Sequence, residues 1–215
     1  MAGTFSQAMV DTESDFNRLI TPIIPYMFNG ELTPVEGDAS VVAKMLDMQC
    51  GIDYLLVNNG LVYGIASRIQ RLKSGDIPWN TFTVRNERES ESTTEFEKRV
   101  RSILGQSIYP KITYQAYVSH DGILQSMAVG FTRDIIKSCI VDNKMVRHTG
   151  KDQFGQAEFF AVGWNQMIRN GHTLRTYSRN LHVIQHYENG KAFDLYKLDD
   201  NGMPYTDLQL PTPGF

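Results

Sequence analysis

Apolar residues recur at helical spacing through Phe16, Leu19, Ile20, Ile23 and Ile24, and predict a helix there. Thr12 and Asp15 resemble an N-cap with an acidic first turn. Pro22 and Pro25 interrupt the run, so the helix is short or kinked. Gly37-Asp38-Ala39-Ser40 opens a second helix through Val41, Val42, Met45 and Leu46, and Gly51 stands where a glycine ends one. The pattern then changes to strands. Ile52 to Val57 is apolar except for Asp53, Asn58-Asn59-Gly60 is a hairpin turn, and Leu61 to Gln70 is the returning strand. Thr81 to Arg85 alternates as a third strand.

Thr94-x-x-Glu97 is a capping box ahead of a helix that places Phe96, Val100, Ile103 and Leu104 on one face and stops at Gly105. Strands follow at Ile112 to Val118 and, after His120-Asp121-Gly122, at Ile123 to Phe131, with a short helix over Thr132 to Ile140. The last third is less regular. Strands are expected at Glu158 to Val162, Thr173 to Tyr177, His182 to Tyr187 and Ala192 to Leu198, with a short helix near Asn165 to Asn170. Residues 1–12 read as a loose leader and Asp199 to Phe215, with three prolines, as an extended tail.

Composition narrows the field. A chain of 215 residues with 41% hydrophobic and 21% charged residues builds a packed core. The net charge of -3 gives no overall pull toward nucleic acid, so any such binding needs a local basic patch. Cys50 and Cys139 form no CxxC pair and are expected as buried free thiols rather than zinc ligands. The first fifteen residues lack a basic start and an apolar stretch, and no apolar run approaches the ~18 residues of a membrane span. A cytoplasmic location is the expectation.

Asp53 is the chemical focus, because an ionised carboxylate in an apolar strand needs a cation, an arginine or several hydrogen bonds. Ala66, Arg68 and Gln70 share one face of the returning strand, and Thr83 and Arg85 share one face of the third. If these strands are neighbours, Asp53, Arg68, Gln70 and Arg85 converge. Such a set suits metal-assisted phosphodiester hydrolysis, in which a cation also stabilises charge on phosphorus. It equally suits a core ion pair between Asp53 and Arg68 or Arg85. Arg88, Lys98, Arg99 and Arg101 are either phosphate contacts or the solvated face of a helix with pairs such as Glu97–Arg101. His182 and His186 fall in a strand, where a spacing of four does not bring two metal ligands together. His148-Thr149 and His172-Thr173 lack the spacing of paired phosphodiesterase histidines. Phe154, Phe159, Phe160 and Trp164 read as core of the second half.

Gly51-Ile52-Asp53, a hairpin, and Val62-Tyr63-Gly64-Ile65-Ala66-Ser67-Arg68 resemble the heart of the PD-(D/E)XK nuclease superfamily, which includes restriction endonucleases and archaeal-type Holliday-junction resolvases. The resemblance covers roughly the first half of the chain. It implies an α/β (α+β) fold: a mixed β-sheet with an αβββαβ core flanked by helices, matching the order read for residues 38–118. Residues 1–140 would be this core and 141–215 a small β-rich extension packed on it. It implies a Mg²⁺- or Mn²⁺-dependent nuclease acting on nucleic acid, often as a homodimer. Asp53 would be the metal-binding aspartate, and Arg68 stands where the family has lysine. The family's second acid falls on Ala66, which binds no metal. Glu95 is then the candidate second ligand and Gln70 a neutral ligand or water-orienting group, with Arg85, Arg88 and Lys98 on the substrate. Alternatively the centre is inactive, and the fold serves a phage or mobile-element protein that binds or blocks a host factor.

Overall fold

The computed structural model describes residues 14–28, 30–35, 40–58, 60–88, 93–142, 145–148 and 157–205, with only the backbone of Arg88, residues 145–148 and Ala157. In chain order the strands are β1 (Glu31–Pro34), β2 (Tyr54–Asn58), β3 (Leu61–Arg71), β4 (Thr81–Arg88), β5 (Ile112–Val118), β6 (Leu124–Phe131), β7 (Met145–His148), β8 (Ala157–Gly163), β9 (Leu174–Ser178), β10 (Val183–Glu188) and β11 (Lys191–Lys197). The α-helices are α1 (Ile24–Phe28), α2 (Val41–Cys50), α3 (Glu95–Leu104), α4 (Thr132–Asp142) and α5 (Trp164–Arg169).

An eight-stranded mixed sheet, in the order β1-β2-β3-β5-β6-β9-β10-β11, forms the middle of the molecule. Only β3 and β5 run parallel; the other neighbours are antiparallel. All seven residues of β5 are buried, as a strand covered on both faces must be. Its side chains alternate between two cores. Ile112, Tyr114, Ala116 and Val118 pack with Phe16, Ile20, Ile23 and Met27 of the N-terminal helical run. Tyr117 joins Phe82, Val84, Phe160 and Trp164 on the opposite face. The fold is therefore a mixed α+β arrangement with helices on both sides of the sheet.

Pro22 and Pro25 break the N-terminal helix as expected. It becomes a π turn (Phe16–Ile20), a 3-10 turn (Thr21–Ile23) and then α1. Two ion-bearing contacts hold this run in place. Buried Asp15 accepts two 2.7 Å hydrogen bonds from Arg71 at the end of β3. Arg175, fully buried on β9, donates to the Met27 carbonyl at 3.0 Å near the end of α1. Ser40 caps α2 by accepting from Ala43 N at 3.1 Å, and Gly51 ends it at φ +66. Little of α2 is buried: Ala43 is, Leu46 and Cys50 pack partly beside it, and Val41 and Val42 are exposed.

The third strand corrects the expected topology. β4 does not join β3 but pairs antiparallel with β8 in a separate three-stranded sheet, ordered β4-β8-β7. Phe82 and Val84 supply its inner face and lie on the main sheet. Element order thus matches the expected helix, three strands, helix and strand, while the third strand lies above the sheet. β9 to β11 continue the main sheet beyond β6. The leader, Asn59 of the hairpin and residues 206–215 of the tail lie outside the described residues. Cys50 and Cys139 are free thiols, but only Cys139 is buried; Cys50, at the end of the largely exposed α2, is half-buried. No helix among the described residues is long and apolar enough to cross a membrane.

Candidate functional site

Asp53 sits one residue before β2, and its backbone is fixed on both sides. Its N–H donates to Ile65 O at 2.9 Å, and its carbonyl accepts from Val35 N at 2.8 Å. Amides two residues apart on a strand point the same way, so Ser67 N–H faces the side where β2 has not yet begun. The Asp53 carboxylate fills that gap: its Oδ2 accepts from Ser67 N at 2.5 Å. Burial nevertheless dominates its titration, raising it from 3.8 to about 6, with the Ser67 bonds and nearby Arg99 opposing the rise and Glu95 adding to it. The Asp53 residue is not fully closed off from water.

Arg68 leaves β3 on the face next to β4, beside the fully buried Ala66. Its Nη1 donates to Thr83 Oγ1 at 3.0 Å, and its Nη2 lies 3.4 Å from Glu95 Oε2. Thr83 is held by buried Gln115 of β5, whose Oε1 accepts from both Thr83 N and Thr83 Oγ1 at 3.1 Å. This polar bridge locks β4 over the main sheet at the site.

Glu95 is the first residue of α3. Its position is set by the capping box, in which Thr94 accepts from Glu97 N and Glu97 accepts from Thr94 N. Glu95 Oε2 also accepts from the Arg85 backbone N–H at 3.2 Å, and Oε1 pairs with Arg99 one turn later. Thr94→Ala removes the cap and should cost about 1 kcal/mol, read from urea denaturation.

The structure brings Arg68, Glu95 and the Arg85 backbone together, and Asp53 lies within electrostatic reach of Glu95 and Arg99. The convergence arises by stacking one sheet on another rather than by strand neighbourhood. Gln70 lies two residues beyond Arg68 on the same face of β3, and its side chain forms no hydrogen bond among the described residues. Lys98 turns away from the cluster and donates to Met48 O on α2 at 2.6 Å. The Arg88 side chain lies outside the described residues. His186 is buried on β10, and His182 sits at φ +50 just before it.

Two residues hold positions that the sequence reading did not assign to them. Arg99 is buried at 3% exposure, and its Nε and Nη1 have no partner among the described residues. Phe159 is not core packing: the Arg68 and Arg85 guanidinium carbons lie 5.1 and 5.5 Å from its ring centroid. The spacing of Arg99 from Glu95 was the available signal, since residues four apart share a helix face.

The donor set decides what cation would fit. No group of three His, Cys, Asp or Glu side chains gathers among the described residues, so an all-protein cage is not formed there. Asp53 and Glu95 instead give two carboxylates, the number Mg²⁺ commonly takes when waters and substrate phosphate complete its shell. Arg68 and Arg99 both pair with Glu95, and Arg99 also acts on Asp53, so cationic charge lies beside the two acids. The comparisons with protein-family models, curated proteins and solved structures give no match.

Proposed function

We propose that this site performs metal-assisted phosphodiester cleavage on nucleic acid, as a nuclease-like enzyme of the PD-(D/E)XK kind. One observation supports the reading: Glu95 lies 3.4 Å from Arg68 and also acts, with Arg99, on the titration of the half-buried Asp53, although these residues come from separate elements. Asp53 and Glu95 would hold Mg²⁺ or Mn²⁺, which supplies charge for the scissile phosphate and lowers the pKa of a bound water. Arg68 stabilises negative charge building on phosphorus. Arg85 orients the strand from above, its guanidinium steadied on Phe159. Arg99 pairs with Glu95 Oε1 and keeps it aimed.

A second reading rests on its own observation. Glu95 is already paired with Arg68 and Arg99, and Ala66 is buried where the family has its second acid. The same fold would then serve a protein that binds a host factor without cleaving anything.

Calorimetric titration with Mn²⁺, beside cleavage assays on labelled single- and double-stranded DNA and RNA, separates the two. The enzyme reading requires cation binding by the parent protein, loss of that binding in Asp53→Asn, and metal-dependent cleavage lost in the same variant. A parent that binds no divalent cation and cuts no strand leaves the binding-protein reading.

A further inference from the structure

A second site lies away from the Asp53 cluster. A cavity of about 310 Å³ opens where β2, β3, β5 and β6 meet the start of α4. That volume lies at the small-ligand end of the range for binding pockets. Three aromatic rings line it from three different segments: Tyr63 on β3, Tyr109 ahead of β5, and Phe131 at the end of β6. Leu56 and Ile112 complete the apolar wall, and Asn58 contributes an amide that both donates and accepts.

Its charges are at the rim. Lys111 Nζ lies 5.6 Å from the Tyr63 ring centroid, beside the aromatic wall. Arg133 is the second cation, and neither has an ion pair among the described residues. Asp134, the one acid lining the cavity among the described residues, lies 3.5 Å from His172 Nδ1. An acidic chain thus carries a local cationic rim on an aromatic pocket, a combination suited to a flat aromatic body bearing an anionic group.

We propose that this cavity holds one nucleotide unit, either free or within a strand. The base lies against Tyr63, Tyr109 and Phe131, Asn58 meets its hydrogen-bonding edge, and Lys111 and Arg133 take its phosphate. Inorganic phosphate alone has no use for a three-ring wall, and a saturated alkyl acid has none for the Asn58 amide. Tyr63 is four residues from Ser67, about 13 Å along an extended strand. The cavity is therefore separate from the proposed metal centre and does not depend on chemistry there.

The test is metal-free calorimetric titration of the full chain with AMP, dTMP and a short oligothymidylate, with inorganic phosphate and decanoate as controls. The nucleotides should bind at least about tenfold tighter than either control. Lys111→Gln, at an exposed position, and Tyr109→Ala should each weaken nucleotide binding about tenfold, while Asp53→Asn leaves it unchanged. Tighter binding of the oligonucleotide than of the mononucleotides identifies a strand as the source; equal binding identifies a free nucleotide. The proposal is overturned if no nucleotide binds, if decanoate matches the nucleotides, or if Lys111→Gln binds like the parent. Oligonucleotide binding that disappears in Asp53→Asn also overturns it, because the strand then sits at the other site.

Discussion

Asp53→Asn is expected to make the protein more stable at pH 8 while abolishing divalent-cation binding. Burial raises the carboxyl from 3.8 to about 6 in the fold, so the folded state holds this proton more tightly than the unfolded chain. The stability linked to that proton is complete below pH 3.8 and is lost as pH rises through about 6. A shift of about two units corresponds to roughly 3 kcal/mol as an upper figure. Partial contact with water reduces it, and about 1 to 2 kcal/mol is the expected gain from removing the charge. Asparagine keeps an oxygen to accept the Ser67 N–H. Urea denaturation of parent and variant at pH 5 and pH 8 reads the effect, with the advantage of the variant growing between the two. A variant less stable than the parent at both pH values would show that Asp53 serves architecture. A carboxylate that weakens the fold at neutral pH calls for a functional reason to be there, and cation binding is the one proposed.

Much of the frame was legible because local chemistry determined it. Gly51 adopts the left-handed conformation that ends α2, and both halves of the Thr94–Glu97 capping box are formed. Gly190, at φ +75 after Asn189 at φ +51, makes the turn that Asn-Gly predicts between β10 and β11. What failed was long-range. Alternation in Thr81 to Arg85 identifies an inner face of Phe82 and Val84, but not the sheet to which the strand belongs. β1 is four residues ending in proline and mostly exposed, so it carries no hydrophobic signal. It pairs antiparallel with β2, and Leu32 is the one of its four residues that packs on the core.

The site divides in the same way. Asp53 was legible because a lone charge among apolar residues stands out, and Arg68 because it shares a short motif with it. Glu95 entered only as a substitute for the acid missing at Ala66. Arg99 looked like any basic residue on a solvated helix face, and the expected pair was Glu97–Arg101. In the fold Glu97 is committed to the cap, whereas Arg99 is drawn inward to Glu95. Phe159 was assigned to the core because sequence does not say that two guanidinium groups will lie over its ring. Both misses depend on where β4 and β8 stack, which no pattern within either strand encodes.

That dependence on stacking gives the second large effect: Phe82→Ala should damage both stability and the site. Phe82 is 1% exposed, and its ring centroid lies 6.0 Å from that of Trp164. A Cβ added to Gly130 would sit 3.4 Å from the Phe82 ring, so the ring rests directly on the β6 backbone. Truncating it opens a cavity between the two sheets, at a cost of about 3 to 5 kcal/mol. In a chain of this size that amounts to roughly 10 °C in Tm. The loss also frees β4 to shift, and β4 carries Thr83, which holds Arg68 at 3.0 Å, and the Arg85 amide, which holds Glu95 at 3.2 Å. Ile184→Ala is the control. Ile184 is fully buried in the opposite core and its loss costs a similar amount. At a temperature where both variants remain folded, Phe82→Ala should weaken Mn²⁺ affinity and Ile184→Ala should not. Equal effects on the two affinities would show that cation binding follows overall stability, and that the seating of β4 does not build the site.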